Sequence, residues 1–242
     1  MKKAVLLFSL VLGLSSIGLH AQTAEEIIAK SIAATGGIEK IKALNSMKIS
    51  GHAMVMGSEV PVKIFAKRPL MSRMEITIFG KTQLEVFDGT TAWQLNPFAI
   101  SGVIEPTIVP EDQAKAIIDR ADFDGDFVDY QAKGHVIEFM GKDEMEGSSV
   151  FKLKVTKKTG VEAVYFIDAD NYLPIKIVTK TKTKDGIEEG DVILGNYKPV
   201  SGIQMAHSMD IRSGGITRFQ VVIDKVEPNT PIENSIFVMP KK

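Results

Sequence analysis

Two hydrophobic periods divide the chain. Ahead of residue 46 the apolar positions recur at helical spacing, with Ile28 and Ile32 in line with Ala24 and Thr35. Thr23-Ala24-Glu25-Glu26 has the spacing of a capping box, which predicts Thr23 as the N-cap of a first helix. Gly36-Gly37 is where that helix should end, because glycine accepts the left-handed turn of a C-cap. A short second helix is expected over 38–44. From Met47 the period changes to two. Val60, Val62 and Ile64 alternate with Pro61, Lys63 and Phe65, and Phe151, Leu153 and Val155 alternate with Lys152, Lys154 and Thr156. Val161, Ala163, Tyr165 and Ile167 form the next such run, followed by Ile175 and Ile177. Ile203, Met205, His207, Met209 and Ile211 share one face of another. Short alternating runs joined by Gly- and Asp-bearing turns predict an antiparallel sheet wet on one side, of about ten strands. Lys180, Lys182 and Lys184 mark one of its water-facing stretches.

One segment breaks the rhythm. Pro110-Glu111-Asp112 opens a helical stretch with the apolar stripe Ala114, Ile117, Ile118 and Ala121, acidic at its start and with Arg120 near its end, as the helix dipole favours. The preceding stretch, 98–110, is apolar without a period and reads as a connection. The predicted architecture is therefore mainly β with α: a long, curved antiparallel sheet, a helix at its start and a small helical insertion in the middle. A sheet of this size with so few helices must close, fold over or enclose space, and enclosed space is how β-folds hold ligands.

Composition narrows what such a space could be for. The run from Ala4 to Leu19 behind Lys2 and Lys3, ending at Leu19-His20-Ala21, has the order of parts of a secretory leader cleaved near Ala21-Gln22, and is short for a membrane span. This predicts residues 1–21 as a signal peptide and 22–242 as a single exported domain. The formal charge is −1, and loss of Lys2 and Lys3 with the leader takes it to −3. No basic excess marks a nucleic-acid partner. With no cysteine in the chain, thiol catalysis, thiolate metal sites and an N-terminal lipidated cysteine are excluded.

Candidate chemistry is sparse. His52, His135 and His207 are far apart in sequence, and no metalloprotease, nucleophile-elbow or phosphate-loop motif occurs. Asp122-Phe123-Asp124-Gly125-Asp126 resembles the start of a calcium loop, but Lys133 stands where the closing glutamate belongs. No catalytic residue, metal or cofactor is expected. Methionine is the unusual component. Met54 and Met56, Met71 and Met74, and Met205 and Met209 come in close pairs, and methionine suits walls that adapt to apolar ligands as well as ordinary core filling. Trp93, the only tryptophan, follows an Asp88-Gly89 turn and precedes Asn96-Pro97-Phe98. It is either a core anchor or part of a ligand site.

The stretch 66–98 resembles the central part of the LolA/LolB-like family of periplasmic lipoprotein carriers. Lys67-Arg68-Pro69 enters a strand, and Asp88-Gly89, Trp93 and Asn96-Pro97-Phe98 follow in matching order. The motif-bearing part covers about fifty residues, and the remainder is similar in architecture to the lipoprotein-sorting-like proteins of Bacteroidetes-type bacteria. The resemblance implies an unclosed β half-barrel lidded by helices over an apolar cavity. It implies acyl chains of lipoproteins or lipids as cargo, carried as a monomer between an inner-membrane release complex and an outer-membrane acceptor. It also makes Arg68 a latch bonded to the lid, with Ala114, Ile117, Ile118 and Ala121 as the lid face. Trp93, Phe98, Met54, Met56, Met205 and Met209 become candidate cavity residues. Ser72-Arg73 departs from the pattern, since a second arginine could share the latch. A lipid-sensing regulatory protein, a structural envelope protein and a hydrolase remain open alternatives.

Overall fold

The computed structural model describes residues 22–55, 57–100, 102, 104–183 and 186–240. The expected leader, Met56 and Lys184 lie outside the described residues. Among the described residues there are three α-helices: α1 (Ala24–Thr35), α2 (Ile38–Lys42) and α3 (Glu111–Ala121). The strands are β1 (Ser46–Val55), β2 (Ser58–Lys67), β3 (Met71–Ile78), β4 (Lys81–Phe87), β5 (Ala92–Leu95), β6 (Thr107–Ile108), β7 (Val136–Met145), β8 (Ser148–Thr156), β9 (Glu162–Asp168), β10 (Pro174–Thr183), β11 (Gly186–Val200), β12 (Ile203–Ser213) and β13 (Ile216–Pro228).

All thirteen belong to one antiparallel sheet in the order β6-β5-β4-β3-β2-β1-β13-β12-β11-β10-β9-β8-β7. Two meanders, β1 to β6 and β7 to β13, are joined back to back where β1 pairs with β13. The sheet does not close, because β6 is only two residues long and pairs with β5 alone, and β7 pairs with β8 alone. The expected number of strands was about ten. The excess comes from two-residue β6 and from long β11 and β13, whose polar alternation gives little hydrophobic signal.

The sheet nevertheless curls strongly. Register shifts break the ladder between β1 and β13, β12 and β13, β9 and β10, and β7 and β8, and each extra residue bends the strand that carries it. At the first of these the backbone approaches so closely that a Cβ on Gly51 would lie 2.1 Å from the Val222 carbonyl oxygen. Only glycine fits there. The degree of curling can be read from α3, which touches β3, β4 and β5 on one meander and β10 on the other. Strands so far apart in the sheet can meet one helix only if they face each other across a trough.

The helices cover the concave face in two places. α1 is capped as expected, with Thr23 Oγ1 accepting from the Glu26 N–H at 3.2 Å, and Gly36 (φ +131°) ends it. Ile27 and Ile28 lie on Phe151, Leu153 and Ile167, beside stacked Phe151 and Tyr172 rings. α2, with Leu44 after it, packs on Met47, Val128 and Ile203.

The convex face is covered by the C-terminal segment instead. Successive residues along a strand alternate faces and paired residues on neighbouring strands share one, so Val86 and Trp93 point away from α3 while Phe87 and Ala92 point toward it. Trp93, Leu84 and Val86 pack against Ile232 and Phe237. Three donors from the sheet hold this segment: Trp93 Nε1 to the Phe237 carbonyl (2.8 Å), Arg73 to Ile236 (2.7 Å) and Lys67 Nζ to Ile232 (2.6 Å). The Trp93→Phe substitution keeps most of the apolar contact but leaves a buried carbonyl without its donor. It should cost roughly 1–3 kcal/mol in urea unfolding followed by circular dichroism, with faster amide exchange confined at first to residues 229–240.

Candidate functional site

The site lies on the concave face, in and around α3. Ala114, Ile117 and Ala121 are buried against Phe87, Ala92 and Val109, with Ile118 partly buried beside them. The predicted lid face is therefore the face that packs on the sheet. It is a small contact, one isoleucine and two alanines fully covered. Beyond α3, at the end of the trough formed by the β1–β2, β3–β4 and β12–β13 turns (here the upper end), lies a cavity of about 230 Å³. Ala53, Val55, Met74, Ile76, Ile78 and Phe219 wall it, with Gln83 and Glu85 on one side. A second space of about 300 Å³ lies under α1 and α2 at the lower end, against Ile177, Leu194 and Tyr197. This one has polar edges, since Tyr165 and Tyr197 hydroxyls and Gln204 reach it.

The turn that follows α3 carries the acidic group Asp122 to Asp126, and its carboxylates are taken up one by one. Arg68 donates to both oxygens of Asp124, through Nη1 at 2.6 Å and also through Nη2. The same guanidinium donates to the carbonyls of Leu44 and Ile41 at the end of α2, and stacks 4.9 Å from the Phe123 ring centroid. Its pKa is raised further above the ordinary arginine value, first by the hydrogen bond to Asp124. Asp122 pairs with Lys133. Asp126 lies 3.1 Å from Lys157 Nζ and accepts from the Tyr165 hydroxyl at 2.7 Å, and Lys157 also reaches Asp119 on α3 at 3.3 Å.

Arg68 belongs to the β2–β3 connection at the lower end, and Lys157 to the β8–β9 turn at the upper end. They come from different meanders. One turn is thus held by cations from both walls of the trough, and the group resembling a calcium loop is a set of ionic ties. Among the described residues no three metal-ligating side chains come together. Burial pushes the Asp119 carboxyl above its usual range, with Lys157 opposing. Burial, helped by Asp126, raises the Tyr165 hydroxyl well above its usual value, so it remains a donor. At the other end of its last turn α3 has the Arg120–Glu85 pair, largely in water.

The structure separates the sequence candidates. Ile117 and Ile118 lie on α3, and Met209 packs with Ala53 and Val221 on the concave face. Met205 packs near Ile41 and Leu44 under α2. Met54 points to the opposite face from Ala53 and Val55, and Trp93 lies under the C-terminal segment, so neither side chain faces the cavity. Phe98 sits on the upper rim near Lys81. Arg73 donates to Ile236 and Glu75 on the convex face and takes no part in the Asp124 tie. Sequence reasoning did not single out Ile76, Ile78 or Phe219, although Met74-x-Ile76-x-Ile78 is an alternating apolar run. It also missed Lys157, whose role depends on a fold-level encounter. The histidines are engaged separately: His207 Nδ1 with the Met205 carbonyl, His52 with Asp224, and His135 with the Lys158 N–H.

Lys157 is the cation shared by buried Asp126 and partly buried Asp119, and Lys157→Met would leave both without it. The expected cost is roughly 3–5 kcal/mol. The sign of its pH dependence follows from Asp119. A carboxyl raised in the folded state contributes stability below its ordinary pKa and loses that contribution as pH rises through the raised one. Removing Lys157 raises it further, so the deficit of the variant should grow as pH rises over the window above the ordinary aspartate range of about 4. Urea midpoints for both proteins across that window measure it, and a pH-independent deficit would refute the assignment.

No family model matches the sequence, and no curated protein matches it. Solved structures do match. A LolA superfamily protein from Nitrosomonas europaea is 14% identical, with 90% of this chain and 98% of that one covered at a TM-score of 0.58. A domain from Vibrio parahaemolyticus named for outer membrane lipoprotein sorting is 12% identical, covering 88% and 95% at 0.58. A DUF1329 family protein from Desulfovibrio piger is 11% identical, covering 90% and 98% at 0.57. At such identities the likeness concerns the fold, and the fold of this chain is the open antiparallel half-barrel of LolA superfamily proteins.

Proposed function

We propose that this protein is a periplasmic carrier that shields acyl chains of lipoproteins or lipids on the concave face of its half-barrel, without covalent chemistry. The observation that carries the reading is the apolar cavity walled by Ala53, Met74, Ile76 and Phe219, which adjoins α3 through Glu85, the partner of Arg120. The name of the Vibrio domain and the leader expected at residues 1–21 support the cargo and the compartment. An inner-membrane release complex and an outer-membrane acceptor would be its partners.

Magnitudes favour a lid that a ligand can displace. A cavity of about 230 Å³ falls below the ~300–1,000 Å³ of pockets that enclose a whole ligand. The described state is then closed, with α3 occupying part of the acyl site. Fully burying one isoleucine side chain contributes ~1.5–3 kcal/mol, and the alanines of α3 add less. One acyl chain of about fifteen methylenes gains roughly 12 kcal/mol on leaving water. The ligand outweighs the apolar hold of the helix, so what keeps the empty site shut must include the ties at its end. Arg68 serves as the latch in this reading. It does not touch α3 but fixes the turn that follows it to α2.

The test is mass spectrometry of the organic extract of mature protein from its native periplasm, together with uptake of a triacylated lipopeptide. Near-stoichiometric acyl ligand is expected. Arg68→Leu removes the latch and raises the open fraction, so apparent affinity should rise roughly tenfold or more and release should slow. Clean extracts from both proteins with no lipopeptide uptake would end the carrier reading.

A further inference from the structure

The upper rim of the trough carries apolar side chains that the fold does not use. Phe79 is 86% exposed at the tip of the β3–β4 turn, and Ile216 is 62% exposed where β13 leaves the β12–β13 turn. Phe98, Ile100 and Ile104 are exposed on the β5–β6 connection, which leaves the sheet at the same end. The cavity lies close to these turns, since its lining includes Val55, Ile78 and Phe219, of which Ile78 directly precedes Phe79 and Phe219 follows Ile216 by three residues. Two cations flank the tips. Lys81 lies 6.0 Å from the Phe98 ring centroid, and exposed Arg218 follows Ile216 by two residues. Glu59 and Glu105 are acids of the same rim.

Phe79 is the informative case because the turn itself disfavours it. Phe79 and Gly80 have φ of +49° and +74° and join the Ile78–Lys81 pair, so both central residues are left-handed. Asn-Gly or Gly-Gly is the residue pair such hairpins favour, and a bulky side chain at positive φ is strained. Among the described residues, three other two-residue turns of this kind use Glu146-Gly147, Ser201-Gly202 and Gly214-Gly215. Among the turns of this kind whose residues are all described, this one places a large apolar group at the strained position, and that group is in water. Neither turn geometry nor burial explains it.

We propose that this rim docks on a lipid bilayer, with Phe79, Phe98 and Ile216 entering the headgroup–acyl boundary and Lys81 and Arg218 meeting lipid phosphates. Apolar tips flanked by cations are suited to that boundary, where each part finds its own solvent. Separate hairpin tips around an opening suit a fluid surface better than a flat protein partner. Docking would set the mouth of the cavity against the membrane, so that an acyl chain passes between the two without crossing water. This last point rests on the carrier reading, while the docking itself does not.

The experiment uses lipid-free mature protein and vesicles of phosphatidylethanolamine with a quarter phosphatidylglycerol. Co-sedimentation is measured for native protein, Phe79→Asn, Phe79→Asn with Ile216→Ser, and Met140→Ser, which removes an exposed apolar side chain away from the rim. Native protein and Met140→Ser should bind equally. The double variant should lose roughly tenfold or more of its partitioning. Phe79→Asn should at the same time raise the melting temperature, because it restores the residue the turn prefers. A Phe79→Trp variant should shift its emission to the blue on binding and be quenched by brominated acyl chains. Lack of vesicle binding, equal loss in Met140→Ser, or tip substitutions without effect would overturn the proposal, as would self-association of native protein through this rim. Lipopeptide uptake measured on the same samples separates the two readings: normal uptake without vesicle binding sinks the docking proposal alone, and vesicle binding without uptake sinks only the carrier.

Discussion

An antiparallel sheet of thirteen strands that curls without closing has an apolar concave face and too few side chains to fill it. That constraint governs the rest of the molecule. A closed barrel of fewer strands would fill its own interior, and a flat sheet would need a second layer across its whole width. Here the sheet bends at bulges, at the Gly51 approach among others, and three short helices are laid into the trough. They cover the β7–β9 end well, where α1 packs on Phe151, Leu153 and Ile167. They cover the β1–β5 end thinly, where α3 offers mostly alanine and isoleucine. The unfilled space follows from that unevenness.

A thinly packed helix needs another means of staying in place, and the turn after α3 supplies it. Asp124 is held by Arg68 from one meander and Asp126 by Lys157 from the other. Such pairs contribute less net stability than apolar packing of the same volume, because two charges must leave water. They differ from apolar packing in how they fail. When such a pair separates into water both charges recover their hydration, whereas a packed core cannot be opened without exposing hydrocarbon. An ionic tie is therefore a reversible fastening, suited to the displaceable helix of the proposed carrier, and the bidentate geometry of arginine on a carboxylate gives it direction.

The sequence revealed the regular parts of this arrangement. Alternating runs such as 151–155 and 203–211, the capping box at Thr23 and the stripe on α3 were legible because each is a local pattern with a local cause. Which face of a strand looks inward was not legible for isolated residues. Met54 and Trp93 are apolar and sit in strands, yet Met54 faces outward and Trp93 serves the convex face, because the C-terminal segment folds back over β2–β5 to make a second buried surface there. No periodicity announces that return. Lys157 was invisible for a similar reason: a lysine in a β-turn is ordinarily solvated, and only the fold brings Asp119 and Asp126 to it. The family resemblance singled out Arg68, but its partners, Asp124 and the carbonyls ending α2, depend on how the turn is routed.

The two ends of the trough have divided the work. At the lower end the chain spends polar interactions on closure: Arg68 on α2 and Asp124, Asn45 N–H on the Asn229 side chain, and Ser46 Oγ on the Thr230 carbonyl. At the upper end, Lys157 with its two acids apart, the described turns of the first meander and of β12–β13 carry apolar groups in water. A structure built only to be stable would distribute these differently, since Phe79 in a left-handed turn costs energy and gains no packing. The asymmetry makes sense if the lower end is a hinge side that must keep its geometry, and the upper end a mouth that must remain uncovered. On that view the concave face is best regarded as a channel with one fixed end, and the position of α3 across it sets how much of the channel is open.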